Sequence, residues 1–298
     1  MKEQQVKIIA GCIVEESITL EIEIKQSFEN ILTYVNQVEK LYIYLRKKVD
    51  IKGLIEKLNK YPNVEIAECF EYGEAEIYKE LINKAISEQA DYITILKPDY
   101  FFENESFLEM KKYVMQSDVS RIAVLTPMPL FGCELHERKA EEFRAIKGCR
   151  AYGALLNLHI YSETRGIKEE YYQTTFDYDY CLQARLLGYD IMLAQNLVLR
   201  KQNYKVLTKK IGFITLTTFD RDLLELYYET RNRYYLWDEY KKLDPAYVSL
   251  DKKLAKKEQQ EIRAKDKNYR EKFLFIERAR LDYKKGRLGQ IEFDEDLN

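Results

Sequence analysis

Histidine is nearly missing from this sequence: two residues in 298, alongside one tryptophan, five prolines and eleven glycines. With imidazole limited to His136 and His159, a zinc centre would need thiolates. The five cysteines, Cys12, Cys69, Cys133, Cys149 and Cys181, are odd in number, far apart and free of any CxxC spacing. They read as buried, reduced thiols, which fits a reducing compartment. No proline- or glycine-rich linker and no fixed-period repeat divides the chain. No apolar run is long enough to cross a bilayer, and the segment 6–13 lacks a signal-peptide cleavage pattern. A cytoplasmic protein is expected, with at most peripheral membrane contact through the lysines of the run 252–272. Neither charge sign dominates: 48 Lys and Arg face 50 Asp and Glu, for a net charge of −2. That balance excludes a general electrostatic pull on nucleic acid, so no nucleic-acid partner is expected.

What is present is core-forming material, with 46% hydrophobic residues. Residues 7–14 form a continuous apolar run of strand length, and 19–36 space their apolar residues helically. A strand over 40–45, a helix over 51–60, a strand over 64–69, a helix over 74–89 and a strand over 92–96 follow. Pro62 helps end the second helix, because proline disfavours helix at the residue before it. This alternation predicts βαβ crossovers and a mostly parallel, Rossmann-like α/β sheet with helices on both faces. Ligands bind such sheets beyond the carboxyl ends of the strands, after residues 14, 45, 69 and 96. Further on, 121–125 reads as a strand, 126–129 (two prolines) as a breaker, and 150–158 as a further strand. Residues 176–187 read as a helix stopped by Gly188, and 189–193 as a strand. From 223 onward the pattern is helical, and 252–272 reads as a solvated helix face. The expected division is 1–215 for the α/β body and 216–298 for a C-terminal helical region.

Several strings occur in a telling order: Tyr61-Pro-Asn-Val-Glu-Ile66, Gly153-Ala-Leu-Leu156, Phe176-Asp-Tyr-Asp-Tyr-Cys-Leu-Gln-Ala-Arg185, Tyr227-Tyr-Glu-Thr-Arg-Asn-Arg-Tyr-Tyr-Leu236 and Ala279-Arg-Leu-Asp-Tyr-Lys-Lys-Gly-Arg-Leu-Gly289. In that order they resemble family 2 glycosyltransferases of the GT-A fold, in particular the rhamnosyltransferase-like branch. The resemblance implies inverting transfer of a sugar from a nucleotide donor, such as a UDP- or dTDP-sugar, to a glycan or glycoprotein. It also implies a divalent metal, Mn or Mg, held by an Asp-x-Asp motif to stabilise the departing diphosphate.

Several of the implied positions are rewritten. Glu15, Glu16 and Ser17 replace a nucleotide-contacting turn, and carboxylates there oppose a diphosphate. Leu45-Arg46 replaces a base-reading Asp-Asn. Arg46, Lys47 and Lys48 form a basic turn that can attract phosphate or simply face solvent. Lys79 and Leu81 stand where Asn and Gly are expected. The Asp-x-Asp becomes Lys97-Pro98-Asp99, leaving Asp99 as a single metal-ligand candidate beside Lys97, which can meet phosphate directly. Asp99 equally reads as a turn cap. Residues 197–202 carry no histidine ligand. Asp177 and Asp179 match the acidic motif that supplies the catalytic base, and equally suit a helix N-terminus. Tyr228, Arg231 and Asn232 share neighbouring helix faces on the implied acceptor side. Two functions remain open: an active transferase, or a pseudoenzyme keeping the fold to bind glycans or protein partners in a glycosylation complex.

Overall fold

The computed structural model describes residues 6–291 apart from 47, 71, 117, 133, 203–205, 212–213 and 220–221, and describes 206–211 and 214–219 by backbone alone. Cys133 and Lys47 therefore lie outside the described residues. The first half alternates as the periodicity predicts: β1 (Ile8–Val14), α1 (Glu21–Val35), β2 (Lys40–Leu45), α2 (Lys52–Leu58), β3 (Val64–Glu68), α3 (Glu74–Ser87) and β4 (Tyr92–Leu96). Then come β5 (Tyr100–Phe102), α4 (Ser106–Gln116), β6 (Ile122–Phe131), β7 (Phe143–Ile146), β8 (Leu155–Asn157), α5 (Leu158–Tyr161), α6 (Phe176–Leu186) and β9 (Asp190–Lys201). A hairpin of β10 (Val206–Ile211) and β11 (Ile214–Phe219) precedes α7 (Leu223–Tyr240), α8 (Pro245–Lys265) and α9 (Tyr269–Lys284).

By its internal contacts the chain forms two compact units. The first comprises residues 1–72, 76–167 and 180–203; the second comprises 73–75, 168–179 and 204–298.

The first unit is built on a nine-stranded sheet ordered β3-β2-β1-β4-β8-β6-β9-β5, with β7 also paired to β9. β1, β2, β3, β4, β6 and β9 run one way, and β5, β7 and β8 run against them. Every residue of β1 and β4 is buried, which explains their unbroken apolar runs. Side chains alternate across a strand. Ile8, Ala10, Cys12 and Val14 of β1 accordingly share a core with Ile31 and Tyr34 of α1, Leu54 of α2 and Phe107 of α4. On the opposite face Gly11 lies against α3, where a Cβ would stand 2.7 Å from Leu81 Cδ1. A side chain there would force the Leu81 side chain to shift.

Three sequence expectations are corrected. The segment 126–129 does not break the strand: β6 continues through Pro127 and Pro129 to Phe131. Beyond Leu125 it has lost β8 and keeps only β9, with a register shift between Pro127 and Met128. A missing N–H is tolerable on an open strand side or at a bulge. The expected strand over 150–158 shrinks to β8. It ends because the Asn157 side chain accepts from the His159 and Ile160 N–H groups, at 3.1 and 3.3 Å, and caps α5. The run 252–272 is not one solvated face either. α8 ends at Lys265, and Asp266 and Lys272, each 3% exposed, pair at 2.5 Å across the turn into α9.

The second unit packs α7 against α9, with Leu226, Ile262 and Ile276 joining all three helices. Asp222 caps α7 by accepting from Leu224 and Glu225 N–H, and Asp244 caps α8, with Pro245 in its first turn. No described helix is long and apolar enough to cross a membrane.

Candidate active site

The neighbouring parallel strands β2, β1 and β4 end side by side, with Val14 opposite Leu45 and Cys12 opposite Leu96. The residues emerging from these ends are Arg46, Glu15 and Lys97. Their charges alternate across the sheet, and the middle carboxylate bridges both neighbours. One Glu15 oxygen accepts from Arg46 Nη1, and the other accepts from Lys97 Nζ at 2.9 Å. Burial works against the Glu15 charge. Lys97, then Arg46, outweighs it and holds the carboxyl at about 2, against an ordinary 4.5. Arg46 also donates from Nε to the Tyr72 carbonyl at 3.2 Å, and Lys97 Nζ stands 5.3 Å from the Tyr152 ring centre.

Asp99 follows two residues after Lys97. Its Oδ2 lies 3.9 Å from Lys201 Nζ at the end of β9, which the antiparallel β5–β9 pairing brings beside it. Burial raises the Asp99 pKa, with Lys201 and then Lys97 opposing the rise. Tyr100 and Tyr152 stack at 4.8 Å between the two lysines, since Lys201 Nζ lies 5.4 Å from the Tyr100 ring.

These residues do not fit a divalent cation. Asp99 is flanked by two lysines, and among the described residues no three His, Cys, Asp or Glu side chains converge as ligands. Hard cations of the Mg or Mn type need several oxygen donors with little competing positive charge. Arg200, in the segment expected to lack a ligand, is tied to Glu103 and to the carbonyls of Gly132 and Glu134.

The second unit holds the acids of α6. Asp177 is 4% exposed and accepts from the Tyr178 N–H at 2.9 Å; Asp179 is fully buried and accepts from the Tyr240 hydroxyl at 2.8 Å. The residues leading into them are unusual, because Tyr172, Thr174 and Thr175 all have positive φ, between 58° and 68°. β-branched threonines avoid that region, so surrounding structure must enforce it. The enforcing groups are on α7. Asn232 Nδ2 donates to the carbonyls of Tyr171 and Gln173, both at 2.9 Å, and Arg231 donates to those of Gly289 and Tyr171. Arg231 and Asn232 are 1% and 0% exposed, so these donors are committed to the protein's own main chain. Tyr228 is buried as well. Its ring meets Tyr172 at 5.2 Å, and its hydroxyl accepts from the Ile291 N–H.

The structure thus brings Lys97 and Asp99 together in one unit. In the other it groups Tyr228, Arg231 and Asn232 around the segment that introduces Asp177 and Asp179. Sequence reasoning did not single out the Glu15 bridge, the Tyr100–Tyr152 stack or Tyr240. The signal for the bridge was available, since Glu15, Arg46 and Lys97 each follow a strand by one residue.

No protein-family model and no curated protein matches the chain by sequence. Solved structures do match. S. aureus TarS residues 1–349, in complex with UDP-GlcNAc, is similar over 98% of this chain and 98% of that one, at 11% identity and a TM-score of 0.50. A mannosyltransferase, PcManGT from Pyrobaculum calidifontis, in complex with GDP-Man and Mn2+, is similar over 74% of this chain and 61% of that one, at 10% identity and a TM-score of 0.46. The mixed, mostly parallel sheet with its helical C-terminal part is the GT-A fold.

Proposed function

We propose that the protein is a nucleotide-sugar glycosyltransferase of the family 2 type, related to the rhamnosyltransferase-like branch, in which lysine and arginine take the place of a metal. The observation that carries this reading is the charged row Arg46, Glu15, Lys97 and Asp99 at the carboxyl ends of adjacent strands in a GT-A sheet. Ligands of open α/β sheets bind at these ends. TarS was solved with UDP-GlcNAc, which makes a UDP-sugar the first donor to test. Lys97 and Arg46 would stabilise the diphosphate as the anomeric bond breaks and the electron pair leaves with it. Asp177 would take the proton of the attacking hydroxyl on a glycan or glycoprotein, giving inversion, with Asp179 fixed by Tyr240. Tyr228, Arg231 and Asn232 would serve this chemistry by holding the segment before Asp177.

A second reading, a catalytically inactive interaction or glycan-binding subunit, is favoured by one fact: Glu15 already pairs with both cations. Titration calorimetry with UDP, dTDP and UDP-GlcNAc, with and without Mn2+, separates the two. Saturable binding that needs no Mn2+ and disappears in Lys97→Ala supports the transferase. No heat with any nucleotide leaves the second reading.

A further inference from the structure

Glu15 is placed where an anionic ligand would be. Its carboxylate lies between a guanidinium and an ammonium, with an oxygen toward each. The three side chains are 10% (Arg46), 21% (Glu15) and 17% (Lys97) exposed, so the arrangement is poorly screened yet reaches solvent. Two cations set on either side of a two-oxygen anion can equally coordinate a phosphate. Arg46 has a second fixed point at the Tyr72 carbonyl, and Lys97 has one over the Tyr152 ring, so each cation is held by a contact other than Glu15.

We propose that Arg46 and Lys97 form an anion seat that Glu15 fills as an internal ligand, making Glu15 the residue that sets how strongly the site takes phosphate groups. The proposal rests on the reading of these strand ends as a phosphate site, but it concerns the seat and not the nucleoside. An incoming diphosphate must displace the Glu15 carboxylate from its two partners. A weakly charged ligand has no such exchange to offer. Glu15 therefore raises the threshold against free phosphate while leaving the seat intact.

The test measures inorganic pyrophosphate binding by titration calorimetry on the full chain, without divalent metal, for the wild type, Glu15→Gln, Glu15→Asp and Glu15→Gln/Lys97→Gln. Glu15→Gln is expected to bind pyrophosphate at least tenfold tighter than the wild type, with affinity falling steeply as salt is raised. Glu15→Asp keeps the charge but is one methylene too short to span both cations, so an intermediate gain is expected. The double variant should lose the gain. If Glu15 is only a structural strut, Glu15→Gln and Glu15→Asp will lower the melting temperature and leave pyrophosphate affinity at the wild-type level, and the proposal falls. It falls equally if no variant binds pyrophosphate. UDP run in parallel separates the two claims. Pyrophosphate gained without UDP keeps the seat and removes the nucleotide reading, whereas UDP bound equally by wild type and Glu15→Gln keeps the nucleotide reading and removes the plug.

Discussion

At the scale of single residues, two side chains carry more than their sequence positions disclose. Glu15 has its carboxyl held at about 2, so its contribution to stability is full above the ordinary 4.5 and is lost as pH falls from there toward 2. The contribution is on the order of 3 kcal/mol, an upper figure for a partly solvated group. Urea unfolding of wild type and Glu15→Gln across this pH range should show their difference shrinking toward pH 2; a constant difference would refute the linkage. Asn232 is the second. Asn232→Ala takes the amide donor from the Tyr171 and Gln173 carbonyls, leaving Tyr171 with Arg231 alone, at a cost of about 1–3 kcal/mol. The same variant should open the segment 172–175 to proteolysis, which a loss of mere packing volume elsewhere on α7 would not do. The Asn232 clasp was not readable beforehand, and the Glu15 bridge only as three charged residues that each follow a strand by one. A lysine in place of an expected aspartate is visible in a string such as Lys97-Pro98-Asp99, but the pairing of Glu15 with two cations depends on the registers of three strands.

At the scale of elements, the α/β body was legible because its periods are clean. β1 and β4 are buried throughout and read as solid apolar runs, and α1 and α3 repeat every three to four residues. The reading failed where a local signal met a tertiary exemption. Pro127 and Pro129 look like breakers, and are, except on a strand that has lost one neighbour. The hairpin β10–β11 went unread, although Gly212 separates two runs rich in β-branched residues. The charged run 252–272 looked solvated because charge usually is. Yet Lys272 and Asp266 are buried as a pair at the α8–α9 turn. Lys272→Met should cost about 3–5 kcal/mol by stranding Asp266, while Lys272→Met/Asp266→Leu should recover most of it. Chemical denaturation of the two variants checks the ordering, and equal losses would mean the pair matters only for packing.

At the scale of the whole molecule, residues 168–179 belong with 204–298 by contact, although they are closer in sequence to the sheet strands. Their backbone is held by Arg231, Asn232 and the Gly289 N–H, which donates to the Glu170 carbonyl at 2.7 Å. In native-state hydrogen exchange, the amides of Tyr172 and Asp179 should therefore open together with those of α7, and not with those of β1 or β4. Merging with the sheet amides instead would contradict this division. The left-handed turn at 172–175 also has a consequence in time. Its clasp is Asn232, some sixty residues further along, so during synthesis the turn is made long before anything can hold it. Until α7 has left the ribosome and folded, the three strained residues relax to ordinary backbone angles and the start of α6 has no fixed direction. The acids at 177 and 179 are thus expected to find their places only after α7 has been made.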